Sequence, residues 1–334
     1  MTEILTNPQL FVHLGHHAKS LAEDAINDGY ADGAILSPVD HKVGKTRSLA
    51  EKINNLGGYL LFDPQFYEPR SDKEKLRSHA YFSNFAGPDS SVEELGSGDG
   101  FRTSDFDEVD KRRDLCENLV NFQDNLGRND SGVDAFISPS RFLSSFSDAN
   151  LRWWRDLTET FLDIASEINP DKPVLAGLPV NGDLLAEENQ PGNLLNWITG
   201  IDVDGFYLTI SVDDYHQYPF TGKDVLESYL KLVRNLKTTR YKVLVGHSHH
   251  VAHLCFGAGA DGFATGLYKN VRTLDMGRFE SSDDGQGGTM VINYYSEPLL
   301  NELRARSPSR STDDENDEDD IDAAKQLIYE VLEK

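Results

Sequence analysis

The sequence predicts a single (βα)8 barrel of the TIM type, and three observations lead there. First, one phrase recurs: DGAILSP at 32–38, DAFISPS at 134–140, DGFYLTI at 204–210 and DGFATG at 261–266. Each is an acidic lead-in, an apolar run of strand length and then a small or polar residue. Second, eight apolar runs of that length can be counted, at about 10–14, 33–37, 59–63, 134–138, 173–177, 204–209, 242–247 and 261–266. Short unbroken apolar runs suit parallel strands buried on both faces. Third, segments with helical periodicity lie between them, and alternation of strand and helix predicts a parallel sheet. Eight strands with crossovers close into a barrel. An open doubly wound sheet is the runner-up. Its GxGxxG fingerprint is absent after the first strand, where His13-Leu14-Gly15-His16-His17 stands instead.

The helices are expected at 17–28, 43–56, 107–126, 147–168, 191–199, 222–237 and 249–258. Ser147-Asp148 reads as an N-cap, and Thr221-Gly222 as another helix entry. Leu151, Trp154, Leu157, Phe161, Ile164 and Ile168 recur every three or four residues, which gives one apolar face. Residues 70–106, containing GPDSSVEELGSGDG, form a long insertion after the third strand, either a binding loop or an insertion without a role. The barrel with its extension 275–304 is expected to span 1–304, and TMVINYY in that extension is an extra strand or a buried coil. Residues 305–320 are expected to be a disordered acidic linker and 321–334 a short C-terminal helix.

Composition narrows the function classes. No stretch of about 18 apolar residues occurs, so no membrane partner is expected. The N-terminus lacks a basic region followed by an apolar one, and Cys116 and Cys255 are the two cysteines, so a reducing cytoplasm is the expected location. The net charge is −24, and residues 313–322, DDENDEDDID, contribute eight acids, leaving −24 + 8 = −16 for the rest. Such a surface disfavours nonspecific nucleic-acid binding. It reads either as adaptation to high salt or as an ordinary acidic protein.

In this fold the chemistry sits at the C-terminal ends of the strands. The first strand ends in His13, with His16 and His17 beyond it; the second ends in Asp40-His41. These are either acid–base groups or surface polar residues. The third ends in Asp63, directly after YLLF and before Pro64, which stiffens the turn. Asp63 is the favoured carboxylate, as base or nucleophile, against the alternative of a turn aspartate. Arg141 after the fourth strand offers a bidentate anion clamp. Tyr207 and Thr209 close the sixth strand, followed by Asp213, Asp214 and Tyr215.

Residues 243–272, VLVGHSHHVAHLCFGAGADGFATGLYKNVR, resemble the last βαβ unit of the phosphate-binding (βα)8-barrel superfamily, which includes flavin-mononucleotide enzymes. Gly246 and Gly266 match the two glycines whose backbone N–H groups approach a phosphate, and GAGADG at 257–262 matches the entry into the last strand. The resemblance implies that Gly246, His247, Ser248, Gly266 and Lys269 hold an anion, with FMN as a candidate cofactor. The match departs where His247 replaces a second glycine and Leu267-Tyr268-Lys269 follows Gly266. His249 and His253 share a helix face. With no neighbouring carboxylate and no HExxH, a metal is not expected.

The sequence therefore points to a barrel enzyme for a small anionic, phosphorylated or nucleotide-like ligand. Asp63, His13 and His247 are its catalytic candidates, and Arg141, Tyr207, Gly246, Ser248, Gly266 and Lys269 its binding candidates. No GxSxG elbow or P-loop competes. One alternative is a barrel similar to the base-exchanging transglycosylases, with Asp63 as nucleophile, although their cysteine-based zinc cluster is missing. The other is a non-catalytic scaffold that recruits a protein partner through residues 305–334.

Overall fold

The structure is a computed structural model that describes residues 4–15, 19–68, 107–127, 132–212, 222–266, 269–279, 293–296 and 301–304. The chain divides into two compact units, Met1–Asp283 and Asp284–Lys334. The insertion at 70–106, His16, His17, residues 213–215, the segment 305–320 and the expected C-terminal helix lie outside the described residues, as does the Lys269 side chain.

The first unit is the (βα)8 barrel. In chain order it runs β1 (Gln9–His13), α1 (Lys19–Asn27), β2 (Gly33–Leu36), α2 (Val43–Asn55), β3 (Tyr59–Phe62), α3 (Val109–Asp124), β4 (Phe136–Ile137), α4 (Asp148–Ile168), β5 (Val174–Asn181), α5 (Gly182–Leu185), α6 (Gln190–Ile198), β6 (Gly205–Ser211), α7 (Lys223–Thr238), β7 (Lys242–Gly246), α8 (Ala252–Ala258), β8 (Gly262–Gly266) and α9 (Lys269–Arg272). All neighbouring strands pair in parallel, in the order β3-β2-β1-β8-β7-β6-β5-β4. In the second unit β9 (Asn293–Ser296) and β10 (Asn301–Arg304) form an antiparallel pair. The sequence reading had left the first of these as strand or coil and had not anticipated the second.

The recurring phrase has a physical cause. In each of its four copies the leading aspartate clamps the start of the preceding strand. Its carboxylate accepts a backbone N–H from Leu10, Leu60, Val174 or Val243, at 2.7, 2.7, 2.8 and 2.7 Å for Asp32, Asp134, Asp204 and Asp261. Its own N–H returns the bond to the carbonyl of the same residue, at 2.8, 2.8, 3.1 and 2.8 Å. A strand start that would leave an N–H without a partner is thereby satisfied. The residue after the aspartate must be small where the next strand presses in. A β-carbon on Gly33 or Gly205 would lie 2.1 or 2.4 Å from the carbonyl of Tyr59 or Lys242. The barrel is thus four similar (βα)2 units laid side by side.

The seam between β3 and β4 is the exception. Among the described residues no ladder pairs the two strands; the Asp134–Leu60 bonds join their starts, and Phe142 N donates to Tyr67 O at 2.9 Å beyond their ends. The amide of Gln123 on α3 covers the free edge of β4, donating to Ile137 O (3.1 Å) and accepting from Ile137 N (3.0 Å).

Two apolar layers follow from strand alternation. Phe11, Ile35, Leu61, Ile137, Leu175, Tyr207 and Leu244 fill the barrel interior. Val12, Leu36, Phe62, Phe136, Phe206, Val243 and Val245 face the helices. The expected face of α4 is buried at Leu151, Trp154, Leu157, Phe161 and Ile164. Trp154 also donates its indole N–H to Gly177 O at 2.8 Å. Ser147 caps that helix, accepting from Asn150 N.

Candidate active site

Alternation decides which strand-end residues look inward. Phe11 points into the barrel, so His13 does too; Leu61 does, so Asp63 follows; Tyr207 points in, and Thr209 and Gly246 share its side. These positions converge on one network at the C-terminal end of the barrel. His13, Asp63, Tyr207 and His247 are 3, 2, 0 and 2% exposed.

Asp63 is its hub. One carboxyl oxygen accepts Gln65 N at 3.0 Å and the other accepts Tyr67 Oη at 2.9 Å. The Tyr207 hydroxyl lies near the same carboxyl and adds to the influences that favour its ionised form. Burial pushes the Asp63 carboxyl up to about 6, because desolvation of the charge outweighs these hydrogen bonds. Desolvation also raises the Tyr207 hydroxyl well above the usual phenol range, and the Asp63 charge adds to it.

Tyr207 Oη also lies 3.2 Å from His13 Nε2. The His247 N–H donates to that same nitrogen at 3.3 Å, so Nε2 of His13 carries no proton and Tyr207 is the donor. The His247 ring stacks on His13, centroids 4.1 Å apart and planes 10° from parallel. His247 Nδ1 meets the carbonyl of Val271 at 3.1 Å, and a carbonyl only accepts, so Nδ1 holds the proton. The remaining Nε2 of His247 receives the Gln65 amide at 3.5 Å. Burial holds His13 well below the ordinary imidazole range and brings His247 down to about 3; the Arg278 charge pushes both the same way.

The Tyr207 hydroxyl stands between the carboxyl and the imidazole. In the structure Tyr67 donates to Asp63 and Tyr207 to His13. A proton on Asp63 is therefore connected to His13 through a single phenol. Backbone strain gathers at the same place: Gln65, His247 and His249 adopt φ of 48, 49 and 45°. Thr209 Oγ1, fully buried beside Gly246, has no hydrogen-bond partner among the described residues.

The other expected binding residues stand elsewhere or are engaged. Arg141 bonds Asn150 and lies over the Trp153 ring, 4.3 Å from its centroid. A β-carbon on Gly246 would lie 2.5 Å from Tyr207 Oη, and one on Gly266 would lie 2.1 Å from a Val271 methyl. The N–H and the hydroxyl of Ser248 both end on Ala264 O, at 3.1 Å each. The groups that would cradle the phosphate of FMN are thus bonded or covered from within, and the described residues do not fit that cofactor. His249 meets His250 edge-on, centroids 4.0 Å apart.

The sequence reading missed Gln65 and Arg278. Asp40 and His41, adjacent in sequence, go separate ways. Asp40 pairs with Arg278, at 3.0 and 3.2 Å to its two oxygens. His41 donates to Leu14 O at 3.1 Å. A positive φ at Gln65 has no sequence signal, and Arg278 reaches Asp40 across 238 residues of chain.

No protein-family signature matches the chain, and no curated protein does. Among solved structures it is similar to the 3-dehydroquinate dehydratase from Aquifex aeolicus VF5. The identity is 14% over 78% of this chain and 90% of that one, with a TM-score of 0.38. It is similar to a GH18 chitinase from Pseudoalteromonas aurantia, at 12% identity over 78% and 94% of the chains and a TM-score of 0.42. It is also similar to the dihydrodipicolinate synthase from Oceanobacillus iheyensis, at 12% over 80% and 71%, with a TM-score of 0.37. Resemblances this distant carry nothing about activity.

Proposed function

We propose that the chain is a (βα)8-barrel enzyme in which Asp63 exchanges a proton with a small, uncharged polar substrate, relayed by Tyr207 and His13. The observation that carries this reading is the Asp63 carboxyl itself. It is buried at the C-terminal end of β3, is pushed up to about 6, and lies near the Tyr207 phenol, which touches the His13 imidazole. A group with that affinity exists in both forms near neutral pH, and a positioned acid–base group of this kind contributes about 10²–10⁴-fold to a rate.

Attack by Asp63 as a nucleophile is less well supported, since both carboxyl oxygens already accept hydrogen bonds. An anionic ligand is less well supported at this spot. His13 and His247 are held neutral, Arg278 is balanced by Asp40, and an ionised Asp63 would repel a second anion. Thr209 Oγ1 is the group we assign to a hydroxyl or carbonyl of the substrate.

The test is a comparison of wild type and Asp63→Asn incubated with a mixed metabolite extract, read by mass spectrometry. A compound consumed by the wild type and spared by the variant supports the reading, as does a pH–rate limb near 6. Equal consumption by both proteins removes Asp63 from the mechanism.

A further inference from the structure

The acid–base network is buried, so a substrate reaches it only if something moves aside. Residues 269–279 lie over it and touch the mouth of the barrel repeatedly; Arg272 Nε donates to Gly266 O at 3.1 Å. The Val271 carbonyl takes the His247 Nδ1 proton at 3.1 Å. The Val271 side chain fills the space beside Gly15 and Gly266, where a β-carbon would lie 3.2 and 2.1 Å from its methyl groups. The Arg278 guanidinium grips both oxygens of Asp40 after β2. The Phe279 ring packs at 5.9 Å on Tyr67, the residue whose hydroxyl bonds Asp63. The turn into the last helical turn, Met276–Phe279, is set locally: Asp275 accepts Gly277 N on its carboxylate at 2.9 Å and Arg278 N on its carbonyl at 3.1 Å.

We propose that residues 269–279 are a strap closed over the active site, and that the Arg278–Asp40 ion pair is its latch. The argument is one of chemistry and place. Both side chains of the pair are nearly out of water, at 9 and 6% exposure, so each charge depends on the other. The pair joins the end of the strap, which follows β8, to the segment after β2, across the end of β1. It is also an interaction that can break without disturbing a strand, because neither residue lies in the sheet. Opening the strap withdraws three things together: the positive charge beside His13 and His247, the carbonyl that fixes the His247 tautomer, and the aromatic ring that packs on Tyr67. Access and the protonation state of the network are then changed by one movement. Local opening of this kind draws on a few contacts while the barrel stays folded.

The purpose of the strap rests on the acid–base reading, but its existence can be tested apart from it. Diethyl pyrocarbonate acylates neutral imidazole, and His13 and His247 are neutral at pH 7, so their labelling reports access. In the full-length wild type, mass spectrometry should find both labelled far more slowly than exposed His253. Arg278→Gln and Asp40→Asn should each speed labelling of His13 and His247 by about tenfold or more, as expected when a local closure loses its main contact. The charge-swapped double variant, Asp40→Arg with Arg278→Asp, should return it toward the wild-type rate, which separates a latch from general loosening. The proposal is overturned if wild-type His13 and His247 label as fast as His253, if the single variants label like wild type, or if the swap stays as fast as the singles. Labelling that follows the latch while Asp63→Asn leaves activity intact would keep the strap and reject the acid–base reading.

Discussion

At the N-terminal end of the barrel four aspartates do one job; at the C-terminal end His13, Asp63, Tyr207 and His247 each do a different one. Asp32, Asp134, Asp204 and Asp261 repeat the same pair of hydrogen bonds to the preceding strand. Each carboxylate has a backbone N–H to hold, and Asp261 also takes Lys237 at 2.7 Å; burial raises the Asp134 carboxyl, and the Leu60 N–H and the Lys172 charge offset only part of that. At the other end the titratable groups are packed against one another instead of against backbone donors, and desolvation pushes them toward their neutral forms. One end uses carboxylates to hold strands together. The other gives a carboxyl and two imidazoles proton affinities they would not have in water. Barrels of this kind commonly divide stability and chemistry between their two faces, and here the division can be followed residue by residue.

The largest expected effect breaks the comparison at the C-terminal end alone. Asp63→Asn should lower turnover by about 10²–10⁴-fold, while its melting temperature at pH 8 stays at or above the wild-type value. The reason is that folding raises the Asp63 carboxyl from 3.8 to about 6. The folded protein therefore holds this proton more tightly than the unfolded chain. Stability from this group is complete below pH 3.8 and is lost as pH rises to 6, leaving a penalty of about 3 kcal/mol above that. Asparagine carries no such charge. A variant that melts several degrees lower at pH 8 would show that the hydrogen bonds outweigh the buried charge.

Next in size is Asp261→Ala, which acts at the other end. It removes the partner of Val243 N and of Lys237 together, and should cost about 3 kcal/mol in denaturant unfolding with turnover per folded molecule unchanged. A loss of turnover in the folded variant would mean that the two ends are coupled.

The histidines act in the opposite sense to Asp63. His247 falls from 6.5 unfolded to about 3 folded, so its contribution is complete above pH 6.5 and is lost as pH falls toward 3. At pH 5 this amounts to about 2 kcal/mol from His247. His13 adds in the same direction, and Asp63 offsets part of it. Urea unfolding between pH 7 and 5 should show a net loss that His247→Gln makes smaller; an unchanged slope would contradict a buried neutral His247.

The smallest expected effect sharpens the fourfold repeat. Gly205→Ala forces a methyl to 2.4 Å from the Lys242 carbonyl and should cost about 1–3 kcal/mol. The equivalent position in the second copy is already Ala135. There the residue in register ahead of the neighbouring strand is Pro173, which has no N–H to donate to the Asp134 carbonyl, whereas Tyr59, Lys242 and Gln9 all donate to the matching aspartates. Ala135→Gly should therefore cost less, about 0.5–1 kcal/mol in thermal melts. Equal costs at the two positions would remove the strand contact as the reason for the glycine.

Much of this was legible in the chain. The phrase that begins DG or DA marked four of the eight strands, the apolar runs marked the rest, and the face of α4 could be read from its spacing. These depend on local patterns and on a period of two or 3.6 residues, which sequence carries directly. The inward set was partly legible as well: counting from Phe11, Leu61 and the runs around them reaches His13 and Asp63. Arg141 could not be judged this way. It follows a two-residue strand, and its direction depends on Asn150 and Trp153 of the next helix. The glycines at 246 and 266 looked like openings for a phosphate. A glycine in sequence records that something comes close, and only packing says what; here the neighbours are Tyr207 and Val271.

The sequence by itself determined the barrel, its eight strands and the identity of Asp63 as the carboxylate at the end of β3, because each is written in residues close together along the chain. Tertiary structure alone decided what Asp63 is. Its partners come from positions 65, 67 and 207, and the strap that covers the site is fastened between residues 40 and 278. A carboxyl's proton affinity is set by the water it loses and the groups around it, and those are brought together only when the barrel closes.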